Sequence, residues 1–409
     1  MRPTTVEVMV ARFSVRPAFV TAIVLSSLAS SLTACSSSTP WSRGVPVAQR
    51  STIDPFTGSD RWEVVVCRIP DDVTDPTYAT DAERLVLGVD AIIDRLAGVT
   101  DYFARWSHQR LRIEWVAGAD VAIDSDEDSY DCVDRALDVS DDDVNGVLVI
   151  ADAQHASEAP GGWGRRGERC ERPCPASRTR RAAYVGASDF VSYWGDDSPL
   201  DLIEHEIGHA FGWPHSASSA GIGDNHVYDS DVDVMSDSAA PRTVDPTRRH
   251  GPGVLAFNAW VAGWLDDEEV VFYSLPKVRA GDWQDAIRLA ATDTTPERRA
   301  VRLVVVDIGS ALLTVEFVAD RGDNDHRAEA GVVIHEIVFD EEAPEGRWHV
   351  VQPIGADGSL VLGPEREWES IDGGMSIRTG DVRVADEITS IDVRIRRNLP
   401  EDEQTSARD

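Results

Sequence analysis

Residues 205–215 read HEIGHAFGWPH. Apolar residues recur in and just before this stretch at spacings of three and four, which predicts a helix. His205 and His209 then lie one turn apart on the same helix face and point toward a common position. Glu206 follows the first of them. Neutral imidazoles are frequent zinc ligands and a neighbouring carboxylate can act as a base, so the stretch indicates a metal site that activates water.

The sequence also indicates where this helix begins and ends. Ser198 is a favourable N-cap and Pro199 a favourable first helical residue, so we expect the helix to start there. Gly212 can adopt the left-handed conformation that ends a helix and reverses the chain. His215 is thereby returned toward the two helical histidines. The prediction is a set of three imidazole ligands around one ion.

These residues match the extended zinc signature of the metzincin metalloproteases. Residues 228–236 read YDSDVDVMS and resemble the methionine turn that underlies the metal in that clan, with Met235 as its methionine. Within the clan, the chain looks most like the gametolysin-like group and its bacterial secreted relatives. This finer resemblance rests on residues 257–260 (FNAW) and 263–265 (GWL) as well as on the zinc signature. It spans roughly residues 60–265.

The resemblance implies an α/β catalytic domain, with a twisted, mostly parallel sheet and an active-site helix. It also implies an edge strand that pairs with extended substrate, which we place at residues 182–186. Glu206 would be the base of a zinc endopeptidase. No tyrosine occupies the third place after Met235, so we expect the tyrosine ligand of some metzincins to be absent. One catalytic zinc ion would then be held by water and three side chains: His205, His209 and His215.

The N-terminus predicts export and a lipid anchor. Arginines precede an apolar stretch, residues 17–32, which is too short and too serine-rich for a comfortable membrane span and is typical of a secretory signal. The signal ends in residues 32–35, LTAC, which resemble the lipobox of bacterial lipoproteins. Cys35 is therefore expected to carry the lipid on the outer face of a bacterial membrane. The alternative is an ordinary signal peptide and a secreted protein.

Beyond Cys35 the chain has four more cysteines, which in an oxidising compartment predict two disulfides. Four cysteines allow three pairings. We favour the pairing in which the two cysteines that are close in sequence staple one loop. The favoured bonds are Cys67 with Cys132 and Cys170 with Cys174.

Charge and composition limit the partners. The 409 residues carry a formal net charge of −33, and such an acidic field repels nucleic acid. The expected partners are a protein or peptide substrate and, through Cys35, a membrane, with the protein itself a monomer. Residues 124–128 have the acidic spacing of a calcium loop, but Ser129 stands where the sharp turn needs glycine. Calcium is therefore considered but not assigned.

The chain after residue 264 differs from the part before it. Short runs rich in β-branched residues alternate with turn residues there, without a helical period, which predicts an all-β sandwich. The predicted organisation is a signal peptide (1–35), a flexible tether (36–60), a zinc protease domain (61–266), a β-sandwich (267–398) and a disordered tail (399–409).

Two other functions are compatible with the sequence. One is a surface binding or adhesion lipoprotein whose zinc site is structural or vestigial. Glu206 counts against it, because a structural site needs ligands but no base. The other is a zinc hydrolase of a non-peptide amide, which differs from a protease only in its substrate.

Overall fold

The first sheet forms around a strand, Gly58–Arg68, whose central residues are mostly apolar. Residues 62–67 of that strand are almost completely buried, as expected of a strand covered on both faces. The computed structural model describes residues 55–74, 84–158, 161–167, 179–195, 197–218, 228–278, 282–293, 300–339, 348–352, 361–370, 373–385 and 388–397. These described residues all belong to one compact unit.

The described helices are α1 (Val89–Arg95), α2 (Ala97–Trp106), α3 (Ser129–Val139), α4 (Asp201–Ala210), α5 (Ala240–Val244), α6 (Ala256–Val261) and α7 (Leu275–Val278). The described strands are β1 (Gly58–Arg68), β2 (Leu111–Ala117), β3 (Val121–Ala122), β4 (Gly146–Ala151), β5 (Gly162–Arg165), β6 (Arg181–Val185), β7 (Ser216–Ser218), β8 (Val270–Tyr273), β9 (Trp283–Ala290), β10 (Leu303–Asp307), β11 (Leu312–Val318), β12 (Gly331–Phe339), β13 (Trp348–Gln352), β14 (Glu367–Glu369), β15 (Met375–Ala385) and β16 (Ile388–Arg397). None of the helices in these described ranges is long and apolar enough to cross a membrane.

The N-terminal sheet has the strand order β2-β1-β4-β6-β5, with β3 beside β1. All of its pairings are parallel except that of β5 with β6, which is antiparallel. Helix α3 packs on one face of this sheet. Helices α1, α2 and α4 pack on the other face.

The position of β5 corrects one expectation. The strand predicted at the edge, residues 182–186, is β6, which lies between β4 and β5 and is therefore interior. Among the described strands the edge next to α4 is β5. Its sequence, GWGR, contains two glycines and no β-branched residue, so propensity gave little sign of a strand.

The C-terminal part contains two sheets. One has the order β7-β13-β12-β11-β10-β8, and the other, β14-β15-β16-β9, is antiparallel throughout. Their facing side chains share one apolar core. The predicted class, an α/β part followed by a β part, is confirmed at this level. Strand β7 joins the C-terminal sheet although it follows directly after His215 in the chain.

Candidate metal site

Helix α4 carries the first two histidines. It begins at Asp201, later than Ser198, and Leu200 occupies the N-cap without a side-chain bond to the helix. The predicted start is therefore wrong, and the Ser198 hydroxyl instead accepts a hydrogen bond from Arg95. The helix ends as expected. Gly212 has a φ of 87°, in the left-handed region that reverses the chain.

The three histidines meet at their Nε2 atoms. The Nε2 atom of His205 lies 3.1 Å from that of His209 and 3.1 Å from that of His215. The remaining pair, His209 and His215, is 2.8 Å apart. Tetrahedral nitrogen ligands about 2.0–2.1 Å from a zinc ion are roughly 3.3–3.4 Å from one another. The group can therefore hold a metal ion after a small outward movement of the rings.

Two of the rings are oriented by backbone carbonyls. The His205 Nδ1 atom lies 2.7 Å from the Val234 oxygen, and the His209 Nδ1 atom lies 2.9 Å from the Trp213 oxygen. An Nδ1–H that donates to a carbonyl leaves the Nε2 lone pair free for a metal. Burial lowers the pKa of His205 to about 4, although the bond to Val234 opposes this shift. Its imidazole is therefore neutral at pH 7, as a metal ligand must be.

Glu206 is buried beside the three imidazoles. Its side chain is 3% exposed, and within the described part of the chain its Oε2 atom has no hydrogen-bond partner. Burial raises the pKa of this carboxyl to about 8. A buried carboxyl with an oxygen that no described protein atom contacts by a hydrogen bond is suited to exchange protons with a small molecule at the site.

Met235 lies beneath the site. It is fully buried, and a Cβ atom added to Gly208 would come within 2.3 Å of its Sδ atom. The Met235 oxygen accepts a hydrogen bond from the nitrogen of Ser216, the residue after the third histidine. The Asp233 carboxylate accepts one from the Ser216 hydroxyl and another from the Met235 nitrogen. The turn thus connects the helical histidines with the segment that carries His215.

Tyr228 was missed at the sequence level. Its hydroxyl is 3.4 Å from the His215 Nε2 atom, and its ring packs edge-on against His205 and His215. Burial, and then the charge of Glu206, raise the pKa of this phenol above its usual value of 10. The expectation of a site without tyrosine considered only residues after Met235. Tyr228 comes before it, in a segment with no periodicity that could have placed it.

Glu204 was also missed, and it anchors α4 from behind. The carboxylate is fully buried and accepts hydrogen bonds from the His250 ring at 2.6 Å and from the Gly251 nitrogen at 2.9 Å. Burial raises its pKa to about 7, against the effect of His250. Glu204 is adjacent to a histidine of the group, so these bonds help to fix the helix. Nothing in its sequence spacing distinguishes it from a surface acid.

The edge strand lies directly on α4. A Cβ atom added to Gly162 would come within 2.9 Å of Glu206 Cγ. One added to Gly164 would come within 2.0 Å of the backbone carbonyl oxygen of Glu206. Only glycine allows so close an approach. At these two glycines the backbone of β5 therefore packs directly on Glu206 and His209, with no side chain between them.

The disulfide between Cys67 and Cys132 is confirmed and joins β1 to α3. Cys170, Cys174 and Cys35 lie outside the described residues.

No family model matches the chain, and a search of curated proteins found no match. Among solved structures, metalloproteinase-II from Bacteroides fragilis is 13% identical, with a TM-score of 0.26 over 53% of this chain and 59% of that one. A chaperone–substrate complex is 11% identical, with a TM-score of 0.23 over 51% of this chain and 35% of that one. The match spans less than two thirds of either neighbour.

Proposed function

We propose that this chain is a zinc-dependent endopeptidase whose catalytic part is of the metzincin type. One observation carries the proposal. Three imidazole Nε2 atoms converge within 3.1 Å of one another beside Glu206, a buried carboxyl with an oxygen that no described protein atom uses. A purely structural zinc site needs the ligands alone, whereas hydrolysis also needs a base at this place.

His205, His209 and His215 would hold the ion. Three neutral nitrogen ligands leave a fourth position open, which is the arrangement of catalytic rather than structural zinc sites. A bound zinc ion supplies an acidified water molecule and polarises the scissile carbonyl.

Glu206 moves the protons. Its free Oε2 accepts a proton from the attacking water and then delivers it to the nitrogen of the leaving amine. Burial raises the pKa of this carboxyl, which makes its ionised form a stronger base, and the positive charge of a bound zinc ion would favour that ionised form.

Tyr228 supplies a hydrogen-bond donor beside the open position. Its hydroxyl, next to His215, donates to the carbonyl oxygen of the substrate as negative charge develops there. The substrate binds through hydrogen bonds to the backbone of β5. An extended peptide adds to the sheet alongside β5, whose outer hydrogen-bonding groups face no other described strand.

The proposal includes export with a lipid anchor at Cys35, with secretion as the alternative. The substrates are then extracellular or envelope proteins. The enzyme acts as a monomer and does not bind nucleic acid, since its net charge of −33 repels phosphate. A binding or adhesion lipoprotein is less well supported, because it gives Glu206 no task.

The test uses residues 36–409 as a soluble protein, with zinc content and casein hydrolysis measured together. We expect one zinc ion per chain in the wild type and in Glu206→Gln. Hydrolysis should fall about 10²–10⁴-fold in the variant and should stop when a chelator is added to the wild type. Glu114→Gln is the matched control, because it removes an exposed carboxylate elsewhere.

Wild-type hydrolysis by Glu206→Gln would refute the assigned base. Absence of zinc from the wild type would refute the site. Zinc without hydrolysis of casein or of any library peptide would favour a narrow-specificity hydrolase or a binding protein.

A further inference from the structure

A loop of the C-terminal part reaches toward the metal site. It comprises residues 321–327, between β11 and β12, and contains a short 3-10 helix, Gly322–Asn324. Asn324 is 2% exposed, which is unusual for an asparagine in a connecting loop. We call this segment the 321–327 loop.

Three consecutive hydrogen bonds connect this loop with His205. The Asn324 Oδ1 atom accepts a bond of 3.0 Å from the Gly253 nitrogen. The Gly253 oxygen accepts one of 2.9 Å from the Val234 nitrogen. The Val234 oxygen in turn lies 2.7 Å from His205 Nδ1. Each distance is within the ordinary hydrogen-bond range, and Gly253, Asn324 and Val234 are all buried.

The same loop binds the methionine turn by a second route. The His326 Nε2 atom lies 2.9 Å from the Asp231 oxygen, and the Arg327 guanidinium pairs with the Asp231 carboxylate. Asp231 lies four residues before Met235. The turn is therefore held at Asp231 as well as at Val234.

The loop is itself fixed on α2. The Asp323 carboxylate accepts hydrogen bonds from the Arg105 guanidinium and from the Trp106 indole, at 2.8 Å each for the shortest contacts. Trp106 also closes the space around Gly253, where an added Cβ would come within 2.5 Å of the indole. These contacts fix the position of the 321–327 loop on α2.

The carbonyl that orients His205 needs such support. Val234 belongs to neither a helix nor a strand, so no regular ladder fixes its peptide. The partner of the second ring nitrogen sets the direction and basicity of a metal-binding imidazole, and loss of an outer partner costs 10–100-fold in affinity or activity. Displacement of the Val234 carbonyl would therefore change the orientation of His205 and weaken metal binding.

We propose that the 321–327 loop is a positioning element of the metal site, and that Asn324 acts on His205 through Gly253 and Val234. The inference rests on the proposed function. It makes the C-terminal part a component of the site rather than an independent module for contacts with other molecules.

The test compares variants of the full soluble chain, residues 36–409. Asn324→Leu removes the acceptor at similar size, and Asn324→Asp keeps an oxygen at Oδ1. Arg288→Gln is the matched control, since Arg288 lies outside the loop and pairs with Asp392 in the C-terminal part. Zinc affinity is measured by competition with a chromophoric chelator, the ligand field by the visible spectrum of the cobalt(II) form, and kcat and KM with casein.

In Asn324→Leu we expect about a tenfold loss of zinc affinity, an altered cobalt spectrum and a lower kcat at unchanged KM. Asn324→Asp and Arg288→Gln should resemble the wild type. Wild-type zinc affinity and cobalt spectrum in Asn324→Leu would overturn the proposal.

If Asn324→Leu does not fold, Arg327→Met tests the second route, and unchanged zinc affinity in that variant would overturn the proposal equally. Failure of the proposed function is a different result: in that case the wild type itself binds no zinc or cleaves no substrate.

Discussion

At the residue scale, the hydrogen bonds of individual side chains decide which atoms are available to a metal ion or a substrate. His205 and His209 present Nε2 because their Nδ1 atoms face carbonyls, and Tyr228 presents a hydroxyl beside His215. The histidine spacing could be read from the sequence, because a helix fixes which residues share a face. Tyr228 could not, because the segment before Met235 is irregular and has no period to extrapolate.

Tyr228→Phe tests the donor at this scale. The substitution removes one hydroxyl from a side chain that is 45% exposed, so the fold should be unaffected. We expect kcat/KM for casein to fall about 10²-fold, as for the loss of one oxyanion donor, with zinc content unchanged. Tyr193→Phe, at a more exposed tyrosine, is the control. Equal kcat/KM in the Tyr228 variant and the wild type would remove the phenol from the mechanism.

At the scale of elements, α4 and β5 pack closely because β5 has glycines where the two elements meet. Gly162 and Gly164 let the edge strand lie on the helix that carries His205, Glu206 and His209. Buried apolar strands such as β4 and β11 could be predicted from their composition. β5 could not, because close packing requires glycine there and glycine is depleted in strands. Composition therefore places the edge of the sheet one strand too far into it.

Gly164→Ala should disturb both strand and helix. The new methyl group would come within 2.0 Å of the Glu206 oxygen and 2.7 Å of His209 Cβ, so β5 must move away from α4. We expect a loss of about 1–3 kcal/mol in the free energy of unfolding, measured by urea titration, and at least a tenfold fall in kcat/KM. Gly186→Ala serves as the control, because its added Cβ meets its nearest neighbour at 3.4 Å. A Gly164 variant with wild-type stability and activity would contradict this packing argument.

At the scale of the whole molecule, the two parts are joined by polar as well as apolar contacts. Glu316 of β11 is 1% exposed and accepts a hydrogen bond from the Ala256 nitrogen of α6. His335 of β12 is fully buried, and burial lowers its pKa to about 3. The sequence predicts β strands here but not the ionisable residues in their interior, because the inward-facing position of a polar residue depends on the partner that covers it.

Glu316 should make stability depend on pH. Burial raises its pKa from 4.5 to about 8, assisted by the charge of Asp233. Because the pKa is higher in the folded state, its stabilising contribution is complete below pH 4.5 and is lost as the pH rises through about 8. In urea unfolding, Glu316→Gln should therefore gain stability relative to wild type from pH 5 to pH 8. The His335 contribution is common to both proteins and cancels. A constant difference across this range would contradict the assignment, and Glu114→Gln provides the exposed control.

The disulfide should stabilise the fold without affecting the metal. Cys67 and Cys132 are separated by 65 positions and lie on the sheet face away from α4. Closing a loop of this length stabilises a protein by about 2–5 kcal/mol. The double variant Cys67→Ala, Cys132→Ala should lose that much in the free energy of unfolding, while zinc affinity at 25 °C stays at the wild-type value. A loss below about 1 kcal/mol would show that the bond adds little to this fold.

The pairing of β7 with β13 has a consequence for the timing of synthesis. His215 is followed at once by a strand whose partner, Trp348–Gln352, is translated much later. At about 5–20 residues per second, that partner follows by roughly 7–27 s. During this interval the nascent chain already carries all three histidines and Glu206, but the sheet next to them is incomplete. We therefore expect the segment that follows His215 to take its final place in the sheet only after β13 is available, which is late in the formation of this fold.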